Sequence, residues 1–304
     1  MAPVPMPSGS DDPKPALRRR RSRITPRLVF FAAFAIFAFA AIGLAPLWFP
    51  LIPASDESKI AFERAQRRWR TTVGLPLPGA PDPARLPQRL AEHGLTDGAP
   101  ILVRIFKREF ELELWMKRGT SFEHFATYPI CRWSGMLGPK LKQGDSQAPE
   151  GFYSVDANAL NPNSRWYRSF NLGYPNAYDA ANGRTGSLIM VHGGCASIGC
   201  FAMTNTQMAE IWQLVTSALN GGQKRFQVQV YPFRLTDANL QGYAGHPALP
   251  FWRTLKRGND EFEARHLPPR VNVCKGAYGF EPAGVYPDGD GVIENRCLEP
   301  AAKS

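Results

Sequence analysis

At 304 residues, with 44% hydrophobic and 12% aromatic residues, the chain can bury one large core or two small ones, which excludes wholesale disorder. The formal net charge of +10 does not point to nucleic acid: residues 1–27 hold seven Lys or Arg against Asp11 and Asp12, half of the excess. The remainder is spread as an ordinary basic surface, suited to a polyanionic envelope or an anionic lipid face.

Residues 1–27 have no core-forming pattern and are expected to be a disordered basic tail on the cytoplasmic side. Leu28 to Ala45 carries no charge, and the apolar run extends through Trp48 and Phe49 to Ile52, long enough to span a bilayer. With the arginine cluster directly before it, residues 28–52 are expected as a single N-terminal transmembrane anchor that exports the remainder of the chain to the periplasm. A cleaved signal peptide has the same basic and apolar order, with Ala54-Ser55 as its nearest processing site, but the apolar run is long for one. Residues 53–98 read as a juxtamembrane helix, with Phe62, Ala65 and Trp69 at helical spacing, and then a semi-rigid Pro-rich stalk, GLPLPGAPDPARLP, ending in a short helix near Gln88 to His93.

From residue 99 the texture changes. ILVRIFKREFELELWMK alternates apolar and polar residues on both sides of Lys107-Arg108-Glu109 and predicts a β-hairpin. Further strands are expected at 122–130, 151–155 and 187–191, the last buried and leading into His192. A helix is predicted over 206–219, capped by Thr204 or Asn205, and a closing strand over 225–233. These elements make a mainly β (α+β) domain over 99–235, with an extension over 236–304 in which only a short helix near 251–257 is legible. Five cysteines in an exported chain leave one thiol over after two disulfides. The pairings expected are Cys274–Cys297, closing a Pro- and Gly-rich tail, and Cys131–Cys195, which leaves Cys200 free.

The densest chemistry is HGGCASIGCFAMTN, where a His ends an apolar strand and Gly199-Cys200 comes eight residues later, ahead of a helix. A helix N-terminus and a neighbouring imidazole both favour thiolate, so Cys200 is the candidate nucleophile and His192 its general base and acid. Gly199 allows close backbone approach and, with the Cys200 amide, offers oxyanion-hole donors. Two blander readings stand beside this one. Cys200 and His192 would be buried structural residues, or His192, Cys195, Cys200 and Cys131 would hold zinc; the Gly flanks and loop position argue against the first, and the lack of a C-x-x-C pair against the second.

These segments, with PICRWSGMLGPKLKQGDSQAPEGFYSV, SFNLGYPNAYD and VYPFRLTDANL, resemble the YkuD-type L,D-transpeptidases, and among them the YafK-like branch, over about residues 100–270. The resemblance implies a YkuD-like β-sandwich with one or two helices, Cys200 as nucleophile and His192 as base, no cofactor and no metal. It implies acyl transfer at the L-centre of the diamino acid of a peptidoglycan stem peptide. It also implies either formation of L,D links or their hydrolysis, including release of an attached lipoprotein. The wider family reads Ser-His-Gly-Cys, an apolar residue and Arg, whereas this chain has Ser197-Ile198-Gly199-Cys200-Phe201-Ala202. The missing Arg leaves the substrate carboxylate without its usual partner; Arg165 and Lys142 are the candidate replacements, and Tyr153, Asp145 and Asn171 the candidate substrate contacts. GDSQAPEGFY is expected to shape the cleft wall. A reading of another class is a membrane-tethered peptidoglycan-binding module with an inert centre.

Overall fold

The computed structural model describes residues 55–281, Ile293, Glu294 and Cys297, and five helical residues of the apolar run, Phe31, Ala33, Phe34, Ile36 and Phe37. The basic tail over 1–27 and the rest of the expected anchor over 28–52 lie outside the described residues, and among those described no helix is long and apolar enough to cross a membrane. Residues 55–304 form one compact unit and residues 1–54 another.

The unit begins with α1, Asp56–Thr72, whose N-terminus is capped by the Ser55 side chain. Phe62 and Trp69, two of the apolar residues whose spacing marked the helix, are exposed. The face that packs is Ile60, Arg64 and Arg67. Arg64 lies 4.4 Å over the Trp133 ring and donates to Gly135 O at 2.5 Å; Arg67 lies 4.9 Å over Phe110 and donates to Ile130 O at 3.1 Å. Long arginine stems that cover aromatic rings carry no hydropathy signal, so the spacing of apolar residues does not mark this face. The stretch after it, expected to be a stalk, is packed down: Leu77, Leu86, Leu90 and Leu95 are buried, two of them on α2, Leu86–Glu92.

The hairpin forms as expected from β1, Ile101–Phe106, and β2, Glu111–Arg118, and continues into β3, Ser121–Pro129. Then come β4, Gly151–Asp156, β5, Leu160–Asn161, β6, Ser169–Asn171, α3, Ala177–Ala181, β7, Met190–His192, and β8, Phe201–Ala202. Next are α4, Asn205–Asn220, β9, Arg225–Tyr231, α5, Asp237–Gln241, α6, Leu249–Arg265, and the strands β10, Arg270–Cys274, β11, Ala277–Glu281, and β12, Ile293–Glu294. Six helices among residues 55–281 correct the expected one or two, so the fold is α+β with mixed sheets.

The main sheet runs β3-β2-β1-β9-β4, with β1 and β9 parallel and the other pairs antiparallel. Alternation along β1 sends Ile101, Val103 and Ile105 into a core shared with α4 and with Phe170, Val191 and Phe201 of a second sheet, β5-β6-β7-β8. The other face is covered as well. There α6 lays Trp252 and Leu255 beside Phe106, Phe152 and Tyr231, and Arg104 is buried against Gln229 (3.1 Å), Asn259 (2.6 Å) and Glu263 (2.8 Å). The polar positions that made β1 and β2 look half-exposed thus meet partners supplied by a helix about 150 residues downstream.

Two other departures bear on the site. The strand expected over 187–191 is only Met190–His192, because Leu188 takes a left-handed φ of 57° and is exposed, so the chain cannot extend there. The helix expected near 251–257 runs 249–265, its first turn holding Pro250.

Candidate active site

β7 and β8 are parallel neighbours in register His192↔Ala202 and Val191↔Phe201. Cys200, one residue before β8, therefore stands beside the start of β7, where the Met190 N–H donates to its sulfur at 3.4 Å. The loop between the strands is tied at several points. Cys195 is bonded to Cys131, Ser197 Oγ donates to Cys200 O at 2.6 Å, and the Gly199 N–H donates to Ser134 Oγ at 2.5 Å. Gly199 has φ 96°, and a Cβ there would crowd Ile189 at 3.2 Å, so glycine is required on both counts. Its N–H is spent on Ser134, so Gly199 contributes shape rather than a free donor, and the amide beside the thiol is that of Cys200.

Both disulfides form as expected, and Cys200 is the free cysteine. The zinc reading fails on this point, since Cys131 and Cys195 are spent on each other; among the described residues no cluster of three His, Cys, Asp or Glu exists.

His192 is 3% exposed, and its Nδ1 sits 2.5 Å from Gly193 O. A carbonyl only accepts, so Nδ1 carries the proton and Nε2 presents a lone pair. Burial lowers the imidazole pKa, partly offset by that hydrogen bond, so the ring is neutral. Burial raises the Cys200 pKa above its ordinary 9.0, with the Met190 N–H and the Lys140 charge pulling the other way. The resting pair is a thiol and a neutral imidazole, not the preformed thiolate expected from a helix N-terminus. The reason is distance along the chain: β8 separates Cys200 from α4, and the helix field fades within its first turn. The sulfur instead rests 3.6 Å from Leu188 O. Trp166 stacks on His192, with centroids 6.2 Å apart and planes at 27°.

Cys200 and His192 open into one cavity of about 670 Å³, also lined by Arg68, Arg132, Arg165, Trp166 and Ile198, and by no carboxylate. None of the three arginines has a carboxylate partner among the described residues. A model of the L,D-transpeptidase catalytic domain, YkuD, matches residues 104–231, and two curated proteins named "Putative L,D-transpeptidase YafK", from Escherichia coli (strain K12) and Escherichia coli O157:H7, are each 50% identical over 181 residues, 60% of this chain and 74% of theirs. The chain belongs to the YkuD L,D-transpeptidase family. The helical cell shape determining protein Pgp2 from Campylobacter jejuni is a more distant likeness, 20% identical over 59% of this chain and 67% of that one, with a TM-score of 0.37.

Set against the YkuD pattern, the residues named from sequence separate. Arg165 lines the cavity. Lys142 does not: its side chain is exposed, and its carbonyl accepts from Lys140 Nζ at 2.9 Å. Tyr153 is fully buried, its hydroxyl between Asp179 Oδ2 (3.2 Å) and Glu150 O (3.3 Å), where no substrate reaches it. Asn171 lines a separate hollow of about 390 Å³ next door, with Met190 common to both, and accepts the Gly173 N–H at 3.0 Å. Asp145 gathers its own loop: although burial pushes its carboxyl up, Lys140 and the N–H groups of Leu141, Lys142 and Gln147 hold it below the usual range.

That loop is the cleft wall in an indirect sense. Lys107, fully buried, donates to Gly138 O (2.8 Å), Ala148 O (3.0 Å) and Glu150 (2.9 Å), and Glu150 also accepts the Trp252 indole at 2.7 Å. It fixes the segment that brings Ser134 and Lys140 to the loop of Cys200. Arg68, Arg132, Ser134 and Trp166 were missed from sequence; only the position of Arg132 and Ser134 beside Cys131 offered a clue.

Proposed function

We propose that the protein is a cysteine acyltransferase or hydrolase acting on peptidoglycan stem peptides, with Cys200 as nucleophile and His192 as base and acid. The observation that carries this reading is the free Cys200 thiol and the Nδ1-protonated His192 on adjoining strands, facing one arginine-lined cavity. Nε2 of His192 takes the thiol proton as sulfur attacks the carbonyl at the L-centre of the diamino acid. The Cys200 N–H receives the developing oxyanion. The carbon–nitrogen bond then breaks, the imidazolium protonates the departing amine, and a thioester remains on Cys200. Attack by an amine of a second stem gives an L,D crosslink; attack by water gives hydrolysis. The likeness to the YafK-like branch inclines the reading toward hydrolytic release, including that of an attached lipoprotein.

The charge pattern of residues 1–52 and the two disulfides support a location in the inner membrane by a single N-terminal anchor, with the catalytic domain in the oxidising periplasm. The test is incubation of the full chain with purified peptidoglycan, with and without attached lipoprotein, and mass spectrometry of the products beside Cys200→Ala. Cys200-dependent crosslinks or released peptide are expected. A folded protein that binds the polymer and changes nothing in it is an inert binding module, and the proposal falls.

A further inference from the structure

Arg68 and Cys195 line the catalytic cavity and also a second, larger one of about 850 Å³ that the chemistry at Cys200 does not use. One wall is apolar, built by Leu75, Pro76, Leu77 and Pro81 of the segment after α1. The other is the start of α4, a sixteen-residue helix. Its first-turn amides at Asn205 and Thr206 have no intrahelical acceptor, and they carry the positive end of the helix field. Gln207 gives an independent sign of a missing ligand. It lines the cavity at 3% exposure, its Oε1 accepts from the Thr204 hydroxyl at 3.0 Å, and its Nε2 has no acceptor among the described residues. The single carboxylate on the lining, Asp82, is engaged in capping Ala84 N–H at 3.0 Å.

Unspent amide donors, a helix N-terminus and an unpaired arginine call for an anion, and the apolar wall calls for a peptide's side chains rather than a free ion. We infer that this cavity binds the carboxylate of a short peptide, the second peptide of a two-peptide substrate whose reacting carbonyl lies at Cys200. The inference rests on the function proposed above in one respect, that the first peptide reacts at Cys200. Arg68, common to both cavities, stands where the two halves of such a substrate would meet.

The test uses Thr206→Glu in the full chain. Thr206 is exposed in the first turn of α4, where a carboxylate suits the helix, so the fold is retained while the cavity mouth gains a negative charge. With Cys200 blocked by iodoacetamide, calorimetric titration with acetyl-Ala-Ala-Ala bearing a free carboxylate, and with its amide, is expected to show the acid binding about tenfold more tightly, and Thr206→Glu to abolish that preference. The rate of Cys200 alkylation is expected to be the same in both proteins. Equal affinity for acid and amide, or a preference that survives Thr206→Glu, overturns the inference. Turnover supplies the second measurement: the variant should raise KM for crosslinked muropeptides about tenfold and leave kcat alone. Cys200-dependent turnover with unchanged KM sinks the second site and leaves the proposed function standing. Thr206-sensitive peptide binding with no turnover does the reverse.

Discussion

Ser134 Oγ accepts the Gly199 N–H at 2.5 Å, so a hydroxyl 65 residues upstream sets the backbone beside the free Cys200 thiol. Removing it with Ser134→Ala leaves a half-buried N–H without its acceptor, at a cost of about 1 kcal/mol in stability. The larger effect is expected on chemistry, since the amide of Cys200 is re-aimed when Gly199 relaxes. Turnover of peptidoglycan should fall about tenfold or more in kcat with a smaller change in KM, as for loss of a group that matters in the transition state. Steady-state kinetics on muropeptides, beside a denaturant melt to confirm the fold, decides it.

The protonation states of Cys200 and His192 predict a distinctive pH profile. A preformed thiolate–imidazolium pair would alkylate at full rate from mildly acidic pH upward. Here burial raises the thiol and lowers the imidazole, so the rate of reaction with iodoacetamide should be low at neutral pH and still rising at pH 9. Stability has a matching signature. The lowered His192 pKa contributes stability that is present above 6.5 and lost as pH falls through its folded value. The raised Cys200 pKa contributes stability present below 9.0 and lost as pH rises through its folded value. Melts of Cys200→Ala should therefore lose less stability above pH 9 than the wild type, and an equal loss in both would contradict the assignment.

Local pattern was enough to read β1, β2, β3, β4, α4 and β9, since each has an apolar period of its own and α4 a capping box at Thr204 and Gln207. The two disulfides, and with them the free Cys200, were legible because residue type and spacing carry their chemistry. What escaped reading depends on long-range contact. Tyr153 looked like a cleft residue until Asp179 and Glu150 were found around it, and the juxtamembrane helix gave no sign that Arg64 and Arg67 would fold it against residues 130–135. The polar residues of β1 and β9 gave no hint that α6 would cover them. Leu188 broke its expected strand through a backbone angle that apolar periodicity does not register.

Lys107 and Glu150 form an ion pair with no exposure on either side chain, within a network that also holds Gly138, Ala148 and Trp252. Truncation of one partner, as in Lys107→Ala, strands a buried carboxylate and should cost about 3–5 kcal/mol. The double change Lys107→Met with Glu150→Leu is expected to recover much of that stability. It should not recover activity, because the carbonyls of Gly138 and Ala148 lose the ammonium that gathers their loop. Urea unfolding and muropeptide turnover, measured on the wild type and both variants, would separate the two effects; restored activity in the double variant would show that the network serves stability alone.

The cavity shared by Cys200 and His192 supplies three arginines where the wider YkuD pattern has one shortly after its Cys, and they are not equivalent. Arg132 is partly buried, on backbone tied to β8 by its N–H to Ala202 O at 3.0 Å, while Arg165 is exposed and lies 5.6 Å from the Trp166 ring. A substrate carboxylate held by the less exposed group gains more, since less side-chain freedom is lost on binding. Arg132→Ala is therefore expected to raise KM about tenfold or more, and Arg165→Ala about threefold, with kcat little changed in either. The identifying control is a substrate whose carboxylate is converted to its amide. The wild type should then behave as Arg132→Ala does on the acid, and the mutation should add nothing further; an Arg132→Ala effect that persists on the amide would mean that the arginine acts by shaping the cavity wall and not through substrate charge.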